Sequence, residues 1–197
     1  MGTIRIGLTG GVCCGKSTAI KAFEAIGFDA IDLNNFIHEA LQGNAKIRKG
    51  ISTHFGENCY DSSGHLSIEK LVESLNTTTL GELDTLLSPH IEDLIKRDIP
   101  VPMVIEVPLL FEKHLASYFD FTICIYSSYP LQLMRAIFLK KWTKARLDSM
   151  IIKQFPLEEK IRYANYVIGN NGNVLQFYRQ IQHFVRHSGL MGKLNSN

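Results

Sequence analysis

Ile4-Arg5-Ile6-Gly7-Leu8-Thr9-Gly10-Gly11-Val12-Cys13-Cys14-Gly15-Lys16-Ser17-Thr18 is the stretch whose reading decides the fold. Its first part, Ile4 to Leu8, is an apolar run short enough to be one buried strand. Gly10 to Ser17 then spell G-x-x-x-x-G-K-S, the pattern of a phosphate-binding loop. Glycines let the backbone curl so that successive N–H groups point inward at anionic oxygens, and the helix that follows adds its N-terminal dipole. Lys16 adds a mobile cation, and the Ser17 hydroxyl stands where a magnesium ion bridging outer phosphates needs an oxygen. Beyond the loop, Ala19, Ile20, Ala22, Phe23 and Ile26 recur at helical spacing, so Thr18 to Ile26 reads as a helix packed on a sheet.

Strand-like segments continue at Phe28–Asp32, Val101–Val107, Phe121–Tyr126 and Tyr166–Ile168, after a first one at Thr3–Leu8, with helical patterns between them. This alternation predicts an α/β fold: a parallel sheet with helices on both faces and its ligand site beyond the carboxyl ends of the strands. Those ends carry Gly10 to Ser17, Asp32, Glu106 with Pro108, and the turn Gly169 to Gly172. Two stretches exceed a minimal sheet. From Asn34 to Pro100 helices follow one another without a strand, which reads as an inserted helical subdomain. From about Ser127 to Lys160, Ser128 and Pro130 mark a helix start, and Gln154-Phe155-Pro156 marks a break before a new helix at Leu157. Arg135, Lys140, Lys141, Lys144, Arg146 and Lys153 make this stretch basic. Either it is a solvated helical face or a lid that closes over a triphosphate. Residues 188–197 read as a frayed tail.

Composition narrows the class. The chain has 197 residues, 45% hydrophobic and 20% charged, with a net charge of +2. So small an excess does not predict nucleic-acid binding. Hydrophobic runs such as Val101–Leu110, broken by Pro102, Glu106 and Pro108, are far below spanning length, and no export signal is visible, so a cytoplasmic location is expected. The four cysteines, Cys13, Cys14, Cys59 and Cys124, make neither a metal-ligand nor a disulfide pattern, and reduced thiols are expected. For Cys13 and Cys14 two readings stand open: small side chains that fit a crowded turn, or thiols made acidic and oxidation-sensitive by the helix N-terminus.

Taken together, the motifs resemble the dephospho-CoA kinase family over nearly the whole chain. The strand and loop match its first segment, and Ile31-Asp32 with Asn34 and His38 occupies the place of its V-I-D-A-D-x-x-x-H/R segment. Phe55-Gly56, Asp61 and Gly64-His65-Leu66 resemble F-G…D-x-x-G-x-L. Glu106-Val107-Pro108-Leu109-Leu110-Phe111-Glu112 is close to its D/E-x-P-L-L-F-E signature, and Gln154 with Pro156-Leu157-Glu158-Glu159-Lys160, then Val167-Ile168, Asn170 and Gly172, completes the series. The resemblance implies a P-loop NTPase-type kinase in three parts. Residues 1–35, 99–126 and 161–187 form the nucleotide core, 36–98 a helical CoA-binding insert and 127–160 a helical lid. It implies transfer from ATP with magnesium to the 3′-hydroxyl of dephospho-CoA, in a monomer or weak homo-oligomer without nucleic-acid or membrane partners.

On that reading Gly10, Gly11, Val12, Cys13, Cys14, Gly15, Lys16, Ser17 and Thr18 bind the nucleotide, and Ser17 and Glu106 serve magnesium. Asp32 or Asn34 orients the acceptor hydroxyl, and Arg135 draws on the γ-phosphoryl group. The chain also departs from the family. Asn34 stands where the family has its second aspartate, Ser88 where it has histidine, Leu139 and Met150 where it has lid arginines, and Asn165 where it has aspartate. Rival readings are another small-molecule kinase on the same loop, an attenuated relative that binds ATP or CoA, and nucleotide binding for assembly.

Overall fold

The computed structural model describes residues 4–61, 63–67, 70–71, 77–96 and 101–188, and the side chains of Asn34 and of residues 77–81 and 84 lie outside this description. Five strands, β1 (Arg5–Gly10), β2 (Asp29–Asp32), β3 (Met103–Glu106), β4 (Phe121–Tyr126) and β5 (Tyr166–Gly169), form one parallel sheet in the order β2-β3-β1-β4-β5. The first strand is therefore central, with neighbours on both sides. All the carboxyl ends share one edge: Leu8 and Asp32 both stand in register with Glu106, and Gly10 with Ile125.

Strand limits differ from the sequence reading by a residue or two. β1 runs on to Gly10 because Thr9 and Gly10 still pair with Cys124 and Ile125, and its expected start at Thr3 lies outside the described residues. β3 ends at Glu106, although Val107 N–H still donates to Leu8 O at 2.8 Å. Helix α1 (Lys16–Glu24) starts two residues earlier than Thr18, because Gly15 at φ 98° closes the loop in a left-handed conformation. It stops short of Ile26 because Gly27, at φ 107°, turns the chain toward β2.

The alternation of β1 sorts its two faces. Ile6 and Leu8 pack with Phe23 of α1 and with Phe177, Ile181 and Val185 of α8 (Val174–His187), whereas the Cβ-less Gly7 faces Phe119 and Leu110. Phe23 alone, fully buried and edge-on to Phe28 at 5.1 Å, contributes about 2–3 kcal/mol of hydrophobic stabilisation. Asn173 starts α8 with a reciprocal capping box to Gln176.

Between β4 and β5 lie α5 (Tyr129–Lys140), α6 (Lys144–Ile152) and α7 (Leu157–Tyr163), the region read as a lid, and they cluster with the sheet in one compact unit. Val12 of the loop packs with Ala136 and Leu147, and Leu133, Trp142 and Met150 lie against them.

Residues Leu33–Arg97 form a second compact unit. It contains α2 (Leu33–Gly43), α3 (Ala45–Phe55) and α4 (Thr77–Ile95) around Leu41, Ile47, Ile51, Leu66 and Leu87. Asn44 caps α3 by accepting from Lys46 N–H at 2.9 Å, and the isolated bridge Tyr60–Leu66 closes the segment of Asp61 and Gly64.

Candidate active site

The loop from Gly10 to Gly15 begins and ends on positions that admit no side chain, and it holds an unusual backbone between them. A Cβ on Gly10 would strike the carbonyl of Ile125, and one on Gly15 would strike the Asn170 amide. Cys13 takes the left-handed region at φ 57° without being glycine. Such alternation aims successive N–H groups into one concavity. Lys16 spans it, donating from Nζ to Gly11 O at 3.1 Å, while exposed Ser17 follows in the first turn of α1.

Two side chains brace this loop from behind. Asn170, buried at the end of β5, donates from Nδ2 to Cys14 O at 2.9 Å. Arg135 donates from Nη1 to Ser127 Oγ at 2.9 Å and to Cys14 O at 3.3 Å, and from Nη2 to Asn170 O at 2.8 Å. The sequence reading gave this arginine to the γ-phosphoryl group. Here both of its terminal nitrogens donate to protein acceptors, which holds the loop in shape.

Glu106 ends β3 beside the loop, only 4% exposed, with Oε1 3.9 Å from Lys16 Nζ. That separation is an ion pair too long for a hydrogen bond. Burial pushes its carboxyl above the ordinary range; the Lys16 charge opposes this, Asp32 adds to it and Lys140 opposes it. Its Oε2 is buried and accepts no hydrogen bond. A buried acceptor with nothing to accept from is costly, and a hydrated cation would relieve that cost. The residues therefore fit a hydrated magnesium ion, which Ser17 and Glu106 would hold. Lys140, at the end of α5, also acts on Cys13, where its charge is the largest of those opposing the effect of burial. Its charge thus acts on both Cys13 and Glu106, while its Nζ lies 5.4 Å from the centre of the Trp142 ring.

The two narrow signatures of the sequence meet in space, an arrangement that motif reading alone did not reveal. Lys160, fully buried, places Nζ 2.8 Å from Glu112 Oε1, 2.7 Å from Pro108 O and 3.2 Å from Gln154 Oε1. Glu112 Oε1 also accepts from Phe155 N–H at 2.9 Å. P-L-L-F-E and Q-x-P-L-E-E-K are thus the halves of one buried ion pair. The signal available in the sequence was a lysine on a face otherwise bound for the core.

The departures from the family pattern separate by location. Asn165 Oδ1 accepts from Thr122 N–H at 2.8 Å and ties the start of β4 to the start of β5. It therefore lies at the amino ends of the strands, away from the phosphate edge. Leu139 is exposed, whereas Met150 packs in the apolar cluster under Val12 and Cys13. Asp32 ends β2 in register with Glu106. The backbone of Asn34 lies in the first turn of α2, but its side chain is outside the description, and Ser88 lies within α4 beside Pro89. The acidic-thiol reading of Cys13 and Cys14 is overturned. Burial raises both thiols, more than the neighbouring cations lower them, and raises Cys124 to about 12.

No helix among the described residues is long and apolar enough to cross a membrane. The sequence model of the family described as dephospho-CoA kinase matches residues 4–176. The chain is 30% identical over 185 residues to a dephospho-CoA kinase from Aquifex aeolicus, covering 90% of this chain and 94% of that one. It is 29% identical over 190 residues to one from Fusobacterium nucleatum, covering 93% and 98%. TT1252 from Thermus thermophilus superimposes with a TM-score of 0.82 at 22% identity over 96% of this chain and 99% of that one. Dephospho-CoA kinase from Campylobacter jejuni does so at 0.60 and 22% over 93% and 96%. Shikimate kinase from Acinetobacter baumannii does so at 0.57 and 16% over 95% and 96%, which marks the sheet and loop as a shared kinase fold. With its loop, its two paired signatures and a family match over most of its length, the chain belongs to the dephospho-CoA kinase family.

Proposed function

We propose that this chain transfers the γ-phosphoryl group of ATP, as the magnesium complex, to the 3′-hydroxyl of dephospho-CoA. The observation that carries the reading is Glu106: a buried carboxylate oxygen without a hydrogen-bond donor, beside the loop lysine and in register with Asp32.

Each residue has a task that follows from its position. N–H groups of Gly11 to Gly15 and of the first turn of α1 hold the β-phosphate. Lys16 exchanges Gly11 O for the outer phosphate oxygens, a short move for a side chain already lying across the loop. Ser17 and Glu106 would hold magnesium. Bound magnesium neutralises charge that builds on the outer phosphates. Asp32, directly or through water, accepts the proton of the attacking hydroxyl, and Asn34 helps orient that group. Because phosphoryl transfer depends chiefly on positioning and charge neutralisation, an amide at position 34 lowers the rate without removing the reaction. Lys140 supplies a further cation on this reading, although an ammonium lacks the two-pronged grip of a guanidinium. Residues Leu33–Arg97 form the acceptor-binding part on this reading.

A second reading, an attenuated relative that binds nucleotide or CoA, is favoured by Met150, an apolar contact where the family places an arginine. One experiment separates the two. ADP release is measured with magnesium-ATP and, in turn, dephospho-CoA, AMP, shikimate or water. Turnover confined to dephospho-CoA supports the proposal; turnover with AMP or shikimate assigns another kinase, and tight binding without turnover the attenuated relative.

A further inference from the structure

The buried ammonium of Lys160 has no part in the chemistry above, yet its contacts lead to the site. Its Nζ donates to Pro108 O, two residues beyond Glu106, at 2.7 Å. Thr9, on β1 next to Gly10, donates from Oγ1 to the same carbonyl at 3.2 Å. One oxygen therefore ties together the strand that enters the phosphate loop, the strand that ends in Glu106, and α7. On its other side Lys160 pairs with Glu112, whose Oε1 also holds Phe155 N–H at the break between α6 and α7. Every one of these groups belongs to the same compact unit.

A fully buried charge is an expensive way to fill space. Taking an ammonium and a carboxylate out of water is costly, and an apolar pair of similar volume commonly serves stability as well or better. Oxygen Oε2 of Glu112 is buried without a hydrogen-bond donor, so the pair is not even fully satisfied. Stability alone gives a poor account of it. Direction gives a better one, since an ammonium has several donors and fixes the acceptors it reaches in relation to each other.

From this geometry we infer that Lys160 is a positioning residue for the phosphoryl transfer, resting on the kinase reading above. It sets the carboxyl end of β3, and with it Glu106, against the phosphate loop, and Glu112 anchors that arrangement to the base of the α5–α6 segment. Glu106 would thereby be held in place to face a hydrated cation together with Ser17. Groups that orient a metal's ligands typically matter by about 10- to 100-fold in metal affinity or activity, and a misplacement near 1 Å costs about 10²-fold in rate.

The test is the double variant Lys160→Met with Glu112→Leu in the full chain, which leaves no buried charge unpaired. Thermal melting, calorimetric affinity for the non-hydrolysable imido analogue of ATP with and without magnesium, and kcat and KM with dephospho-CoA are measured against wild type. The expected result is a folded protein whose affinity for the magnesium-free analogue stays within about threefold. The gain in affinity on adding magnesium should shrink by about tenfold or more, and kcat should fall by about 10²-fold with KM for dephospho-CoA little changed. A folded double variant with the wild-type magnesium gain and wild-type kcat overturns the inference. If the double variant does not fold, Lys160→Met with Glu112→Gln, which removes the donor to Pro108 O but keeps an acceptor for Phe155 N–H, carries the test: a smaller magnesium gain supports the inference and an unchanged one overturns it. Wild-type protein that turns over no acceptor sinks the kinase reading, whereas the calorimetric comparison needs no acceptor and still decides the role of Lys160.

Discussion

Arg135 and Asn170 grip the same loop carbonyl from two sides: the Arg135 guanidinium reaches Cys14 O at 3.3 Å and the Asn170 amide reaches it at 2.9 Å, while Arg135 also holds Asn170 O at 2.8 Å. The phosphate loop is thus shaped before any ligand arrives, by groups donated from α5 and from the end of β5. Preorganisation of this kind lowers the free energy that binding must spend on ordering.

Replacing Arg135 with lysine removes the fork but keeps the charge. Arg135→Lys is expected to destabilise the fold by about 2 kcal/mol, a fall of about 4–8 °C in melting temperature for a chain of this size, and to weaken nucleotide binding about tenfold. Scanning calorimetry and titration of ADP check both. Full retention of affinity would show that Asn170 alone suffices.

Lys16 reaches the loop and is the ion-pair partner of buried Glu106, so its loss removes both the loop cation and the charge facing that carboxylate. Lys16→Ala is expected to lower kcat/KM by about 10³-fold or more with unchanged circular dichroism. Turnover that survives in the purified variant points to a contaminating kinase.

Glu106→Gln should improve stability while harming activity. Burial raises the folded-state pKa of Glu106 above its ordinary 4.5, so ionising it costs the fold free energy. The native state then holds more protons than the unfolded chain in that window, and stability falls as pH rises from about 4.5 through the folded pKa. Glutamine does not ionise. The variant should melt higher than wild type at neutral pH, with the advantage vanishing as pH drops below about 4.5, and should lose about 10²-fold in magnesium-supported turnover. A variant less stable than wild type at pH 7 would show that Lys16 more than offsets the burial.

Asp32 and Asn34 are separated by exchanging their chemistry. Asp32→Asn is expected to lower kcat by about 10²- to 10⁴-fold with KM for ATP nearly constant, and Asn34→Asp to raise kcat of the otherwise wild-type chain. Steady-state kinetics over pH 6–9 read both (the range set by about where a carboxylate base and the enzyme's cations keep their charge). No rise in Asn34→Asp means that Asp32 or solvent already accepts the proton.

Lys140 is expected to be the cation that offsets the arginines absent at Leu139 and Met150. Lys140→Ala should reduce kcat about 10- to 100-fold, and Lys140→Glu further, whereas Lys153→Ala, exposed at the end of α6, should leave it unchanged. Equal effects at both lysines would make the field of the segment, and not one side chain, the cause.

The G-x-x-x-x-G-K-S spacing of Gly10 to Ser17 by itself determined the loop, and the alternation of apolar runs determined a parallel sheet with its site at the carboxyl edge. These are local properties: backbone freedom at glycine and the periodicity of burial are written residue by residue. The same spacing cannot say which distant groups meet, because that depends on how strands order and cross. Only the tertiary structure turned Arg135 inward onto Cys14 and Asn170, moved Asn165 to the far end of the sheet, and raised the Cys13 and Cys14 thiols by burying them. It alone joined Lys160 to Glu112 across the molecule, since charges 48 residues apart in the chain pair only when folding removes both from water.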